Sequence, residues 1–322
     1  MERAPTEEQA TSAWVRTLSR EQLIAIRELH RIRLAWNLVA LFFLALWAAA
    51  AWLILAAPHG LLRLPGYVAG AVAIHALGVL LHEGIHGNLT RSRKLDRWLG
   101  FVLGIPTLFI GFSAYRVTHL AHHRFNRTAE DPDEFSNLTR NRRLLSWAFY
   151  VWMVPGSLLY FLFHVPATAL VRGTSRERVA VITEYALLAV LYAIFFSWAW
   201  QRGWLGTLLH AWILPVIGAV IWANFRAWAE HMLTLPGHPL TQTRTITSNR
   251  LVSFLFLNVN YHLEHHLFPA VPWYNLPKLH LLLRHEYEAA GAFMYKSYLR
   301  FLFDALRTGV HGLAPKRREV AI

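Results

Sequence analysis

Asn260-Tyr-His-Leu-Glu-His-His-Leu-Phe-Pro269 places three histidines, His262, His265 and His266, at positions i, i+3 and i+4. On a helix those positions share one face, so three imidazoles point at one spot. Neutral imidazole is a common ligand for zinc, copper, iron and nickel. The same H-x-x-H-H spacing occurs at His119, His122 and His123, and an i, i+4 pair, His82 and His86, precedes both. Histidine makes up 18 of 322 residues. Chance then gives about 0.06 H-x-x-H-H matches per chain, and two matches in roughly two chains per thousand. The clusters are therefore read as metal ligands rather than scattered surface histidines.

The polypeptide around them reads as a polytopic membrane protein. Hydrophobic residues make up 55% and charged residues 16%, against about a quarter charged in soluble domains. Leu34 to Ala57 carries no charge and is long enough to span a bilayer. A short turn with Arg63 leads into Gly66 to Leu81, which runs into the first histidine pair. Val179–Trp200 and Trp204–Ala229 form a second hairpin around Gln201-Arg-Gly203. The expected fold is all-α, with four transmembrane helices in two hairpins. Interfacial or re-entrant helices and a cytoplasmic cap bearing the histidine boxes complete it.

Two apolar stretches fit straight spans poorly. Trp98–Phe112 is broken by Gly100, Gly104, Pro106 and Gly111 and reads as interfacial or re-entrant. Leu144–Val171 contains Pro155, Gly156 and Pro166 between basic flanks (Arg140, Arg142 and Arg143; Arg172, Arg176 and Arg178), and reads as dipping in and returning. Residues 1–33 form a cytoplasmic segment, amphipathic from Ala13. Residues 34–231 hold the membrane helices and first two boxes, and 232–322 form a cap with the third. Leu235–Arg250 is expected to be a polar loop.

The net charge of +13 is scattered between apolar spans, which favours contact with anionic lipid over nucleic acid. Arg91, Arg93, Lys94 and Arg97 follow the first pair, so the positive-inside rule puts it at the cytoplasmic end of its span. All boxes then fall on the cytoplasmic side. The chain has no cysteine, which excludes thiolate-held iron–sulfur clusters and Cys-based zinc sites. No signal-peptide h-region opens the sequence.

His82-Glu83-Gly84-Ile85-His86 matches H-E-x-x-H, so an intramembrane zinc metalloprotease with Glu83 as general base is one reading. A catalytic zinc needs only three protein ligands, whereas six further box histidines lie beyond the His82–His86 pair. Two ions use all eight box histidines, and iron suits repeated imidazole ligation with redox chemistry. Glu83 then orients a ligand or faces away.

The three boxes resemble those of the membrane fatty acid desaturase superfamily, over about Leu34 to Leu283. The third box, with Val271-Pro-Trp-Tyr-Asn-Leu-Pro277, is similar to bacterial acyl-lipid-type desaturases and also to carotenoid ketolases. The resemblance implies a mushroom-shaped four-helix fold, two irons, O2 as co-substrate and electrons from an external ferredoxin, rubredoxin or b-type cytochrome. It implies a long-chain acyl or other apolar substrate, double-bond insertion, and residence in a membrane, the bacterial inner membrane being expected. Hydroxylation, ketolation and oxidative decarboxylation share the scaffold. The resemblance adds His231 as a ninth ligand. Related stearoyl-type enzymes hold a metal-bound water with an Asn one turn earlier; here that position is Ala227, and Asn224 is two turns back. No catalytic residue beyond the ligands is named.

Other histidines are read outside the centre: His75, His164 and His210 as packed in apolar segments, and His30, His59, His238, His280, His285 and His311 as surface or interface residues. Asp131 and Asp133 are read as a solvated acidic turn, with steering of a redox donor or bracing of the second box as the alternatives.

Overall fold

A computed structural model describes residues 6–58, 60–108, 110–134, 137, 141, 144, 156–232 and 234–312. Among the described residues, four helices are long and apolar enough to cross a bilayer: Leu34–Ala56, Gly60–His86, Ser175–Gln201 and Leu205–His231. They coincide with the four spans expected from the sequence, each exceeding the ~20 residues that a hydrocarbon core requires. The described chain is mostly helical and divides into two compact units. One comprises Ile32–His119 and Val154–Asn224, the other Met1–Arg31, Leu120–Met153 and Phe225–Ile322, in their described residues.

In the first unit, small residues bring helices together. A Cβ on Gly66 would stand 2.6 Å from Ile54 Cγ1, and one on Gly70 would stand 3.1 Å from Pro215 Cβ. Such close backbone approach is how apolar helices associate where burial from water offers little drive. The segment broken by glycines bends as its composition predicts. Helix Arg93–Gly104 and a 3-10 turn, Ile105–Thr107, meet helix Phe112–Phe125 at 104°. Backbone carbonyls at the break find partners: Tyr192 Oη donates to Ile105 O at 2.9 Å and Trp212 Nε1 to Pro106 O at 2.7 Å. Without water, such carbonyls must be satisfied internally. Two further prolines, Pro166 and Pro215, follow π-turns at Tyr160–His164 and Leu209–Ile213, which absorb the missing amide donor. Residues 145–155 of the expected re-entrant stretch Leu144–Val171 lie outside the described residues; the remainder is helical through Gly156–Leu159, Tyr160–His164 and Val165–Arg172. Arg140, Arg142 and Arg143 also lie outside them.

In the second unit, the amino-terminal segment is two helices, Glu7–Val15 and Arg20–Leu29, not one. Thr6 with Gln9 and Ser19 with Gln22 form capping boxes that satisfy open N–H groups. Leu18 and Ile26 are buried with Leu263, Leu267, Phe268 and Leu276 around the third box.

Residues 235–250 are not simply a polar loop. Strand β1, Arg244–Ile246, pairs in parallel with β2, Phe293–Tyr295, a short sheet that departs from the all-α expectation. Arg244 is 2% exposed. Its Nη1 donates to Ala229 O and, at 2.9 Å, to Met232 O, and its guanidinium lies 4.6 Å from the Phe301 ring centre. Burial lowers Arg244 to about 10, which leaves it charged at neutral pH. Arg244→Ala strands those carbonyls and opens a cavity, an expected loss of about 3 kcal/mol. The melting temperature in detergent should fall by roughly 6–12 °C, read by scanning fluorimetry.

Candidate metal centre

Each histidine box is presented by a helix. Helix Leu64–His86 carries His82 and His86 in its last turn. Gly87 follows at φ +78, and its N–H caps the Glu83 and Gly84 carbonyls. A side chain there would strain this left-handed C-cap. Within that unit the rings of His82, His86 and His119 converge through Nε2. His119 Nε2 lies 2.8 Å from His82 Nε2 and 3.0 Å from His86 Nε2. Glu83 sits apart from the convergence. It is 2% exposed, its Oε1 stands 3.9 Å from His82 Nδ1, and its Oε2 accepts from Asn88 Nδ2 at 3.3 Å.

Helix Phe112–Phe125 carries His119, His122 and His123 on one face. In the second unit His122, His231 and His266 each offer a nitrogen, all within 4.8 Å of one another. His231 Nε2 lies 2.7 Å from His262 Nε2, and His123 Nε2 lies 3.1 Å from His265 Nε2. Within the first unit His82, His86 and His119 thus converge, and within the second His122, His231, His262 and His266 lie together while His123 pairs with His265.

The third box occupies a six-residue helix, His262–Leu267, too short to hold itself in place. Its surroundings hold it. Asn260 Nδ2 donates to Ile246 O at 2.8 Å, and Ile246 N–H donates back to Asn260 O at 3.0 Å. Thr245 Oγ1 donates to Glu264 Oε2 at 2.5 Å and accepts from Leu263 N–H at 3.3 Å. His280, expected at the surface or an interface, donates from Nδ1 to Glu264 Oε1 at 2.6 Å. It therefore braces the box helix from below.

Carboxylates stand behind the imidazoles. His122 Nδ1 is 2.9 Å from Asp131 Oδ1, His262 Nδ1 is 3.3 Å from Glu230 Oε2, and His266 Nδ1 is 3.3 Å from Glu7 Oε1. Asp131 is 3% exposed and accepts the N–H of Arg127 and of Asp133, so the acidic turn braces the second box instead of facing solvent. Glu230 also accepts from Tyr298 Oη at 2.7 Å and from Arg226. Sequence reading missed Glu7, Glu230 and Glu264. Nδ1 engaged on a carboxylate fixes the tautomer and presents Nε2.

The donor set fits first-row metal ions. Imidazole nitrogens ~2.1 Å from one ion, at right angles, are ~3.0 Å apart, and the Nε2 pairs lie 2.7–3.1 Å apart. Burial, reinforced by His231 and His266, holds His262 well below the usual histidine range, so it is neutral, as a ligand must be. Burial pushes the Glu7 carboxyl up to about 8, although His122 opposes the rise; a nearby cation would favour its charged form. Of the remaining histidines, His210 lies 2.5 Å from Tyr67 Oη and His30 bonds Ile26 O. His75 is buried in its span. His59 lies outside the described residues.

A family model described as fatty acid desaturase matches residues 58–298. The chain is 25% identical to the sphingolipid delta(4)-desaturase/C4-monooxygenase DES2 of Homo sapiens, over 84% of this chain and 80% of that one. It is 27% identical to the sphingolipid delta(4)-desaturase DES1 of Mus musculus, over 74% and 70% respectively. It is also 27% identical to a beta-carotene ketolase of Paracoccus sp., over 73% and 86%.

Proposed function

Because the chain belongs to the fatty acid desaturase family, we propose that it is an O2-dependent di-iron oxidoreductase that inserts a double bond into a fatty acyl chain of a lipid or thioester. The observation that carries this reading is the convergence of imidazole Nε2 atoms at 2.7–3.1 Å. The proposed ligands are His82, His86, His119, His122, His123, His231, His262, His265 and His266. A bound di-iron pair supplies reduction of dioxygen to two waters, drawing two electrons from neighbouring C–H bonds and two from an external redox protein.

The chain's own residues prepare that chemistry. Asp131 and Glu7 accept the Nδ1 protons of His122 and His266, and Glu230 stands beside Nδ1 of His262, so these imidazoles are aimed through Nε2. Apolar spans beside the boxes suit a long aliphatic substrate. His82, His86 and His231 stand at the ends of their spans, which agrees with a centre at the membrane boundary, here proposed to be the cytoplasmic one.

A second reading, hydroxylation or ketolation on the same ligands, is favoured by the relatives' names, one a C4-monooxygenase and one a ketolase. A zinc protease needs Glu83 free to activate water, whereas Glu83 is buried and accepts from Asn88. Expression in a host lacking the activity, followed by mass spectrometry of total lipids with and without O2, tests the function. New O2-dependent double bonds support desaturation; new hydroxyls or ketones support the second reading; no new product counts against both. Asp131→Asn removes the charge behind His122, and is expected to weaken iron retention about 10- to 100-fold, measured by elemental analysis after graded chelation.

A further inference from the structure

Three carboxylates behind the histidines, Glu83, Asp131 and Glu230, come from inside the matched stretch, residues 58–298. Glu7 does not. It is the first residue of helix Glu7–Val15, 3% exposed, with Oε1 3.3 Å from Nδ1 of the buried His266. Its reach is set by packing. The Thr6–Gln9 capping box fixes the start of the helix. At the other end Trp14 and Val15 pack on the core that contains Leu267 and Phe268, with the Trp14 and Phe268 ring centres 6.3 Å apart. The same core holds the box helix from its far side, so helix and box are registered by shared contacts. A buried carboxylate is costly unless charge or hydrogen bonds compensate it, and a surface helix gains nothing by turning its first glutamate inward. That placement asks for a partner, and His266 is beside it.

We propose that Glu7 is a positioning residue for His266. Its carboxylate accepts the His266 Nδ1 proton, which leaves the Nε2 lone pair for metal and makes the amino-terminal helix part of the metal centre. The assignment rests on the di-iron reading above. Glu7 touches neither substrate nor metal: it acts through the imidazoles beside it, His266 above all. Removing it is expected to loosen the iron that His266 helps to hold and to leave the other in place.

The test uses the full-length, iron-loaded protein in detergent and follows iron release to a ferrous chelator, together with the Mössbauer spectrum. Glu7→Ala is expected to release one of the two irons about 10- to 100-fold faster. Glu7→Gln, which keeps a neutral acceptor of the same shape, should fall between it and the wild type. One of two iron signals should shift in both variants. Glu8→Ala, an exposed neighbour on the same helix, should match the wild type. The melting temperature of the metal-free Glu7→Gln protein should equal that of the wild type. Release at the wild-type rate in Glu7→Ala and Glu7→Gln overturns the proposal. So does faster release accompanied by a lower metal-free melting temperature in Glu7→Gln, because that marks a loosened helix. If Glu7→Ala does not fold, Glu7→Gln decides alone, by faster release of one iron or none. A wild-type protein that binds no iron fails the di-iron reading itself, an outcome distinct from unaffected variants of an iron-loaded wild type.

Discussion

His262→Ala is expected to lower O2-dependent turnover by at least about 10³-fold, or ~4 kcal/mol of activation free energy. His262 opens the six-residue third-box helix, and its Nε2 lies 2.7 Å from that of His231. Its loss removes one imidazole and leaves Glu230, buried and bonded to Tyr298 and Arg226, without the histidine it faces. Alanine cannot reach the same point, and Thr245 and Asn260 hold the backbone too firmly for a neighbour to move in. The fold should survive, because the Leu263, Leu267 and Phe268 core lies on the other side of the helix. The variant therefore combines lost turnover and lost iron with a retained melting transition. His285→Ala, at an exposed position in the same half of the chain, should keep full turnover. The measurement is product per iron in purified protein, alongside total iron.

Zinc-loaded protein is the second large effect. Zinc should bind, since the ligands are imidazoles at first-row metal spacing, yet turnover with dioxygen and a matched reductant should fall to background. Zinc is d¹⁰ and has no redox chemistry, so no electron from the donor or the substrate can reach dioxygen through it. Reloading with ferrous iron should restore product. A zinc protease predicts the opposite: zinc would support peptide cleavage and iron would add nothing. Parallel assays of zinc-loaded and iron-loaded protein, with lipid and peptide substrates, separate the two.

The histidine boxes were legible because their signal is local. Positions i, i+3 and i+4 need only a helix to converge, and His119, His122 and His123 on Phe112–Phe125 show it. Span lengths were legible because a bilayer imposes one thickness. The carboxylates were mostly not legible. Glu7 is 259 residues from His266, and no spacing rule connects an isolated glutamate to a box so far away. Asp131 is nearer, in an acidic run beside a histidine box. Charge alone reads as solvation, however, and only the turn made by Arg127 and Asp133 brings the carboxylate back under His122. His280 gave no local sign of its role, because its partner Glu264 lies 16 residues away. Strand β1 is three residues long, too short for alternation to register.

Iron counted per chain tests the central claim most directly. Protein purified anaerobically with ferrous iron and analysed for all first-row metals is predicted to hold two irons per chain, both lost on chelation. One zinc per chain, or no metal retained under conditions where the protein stays folded, would contradict the account.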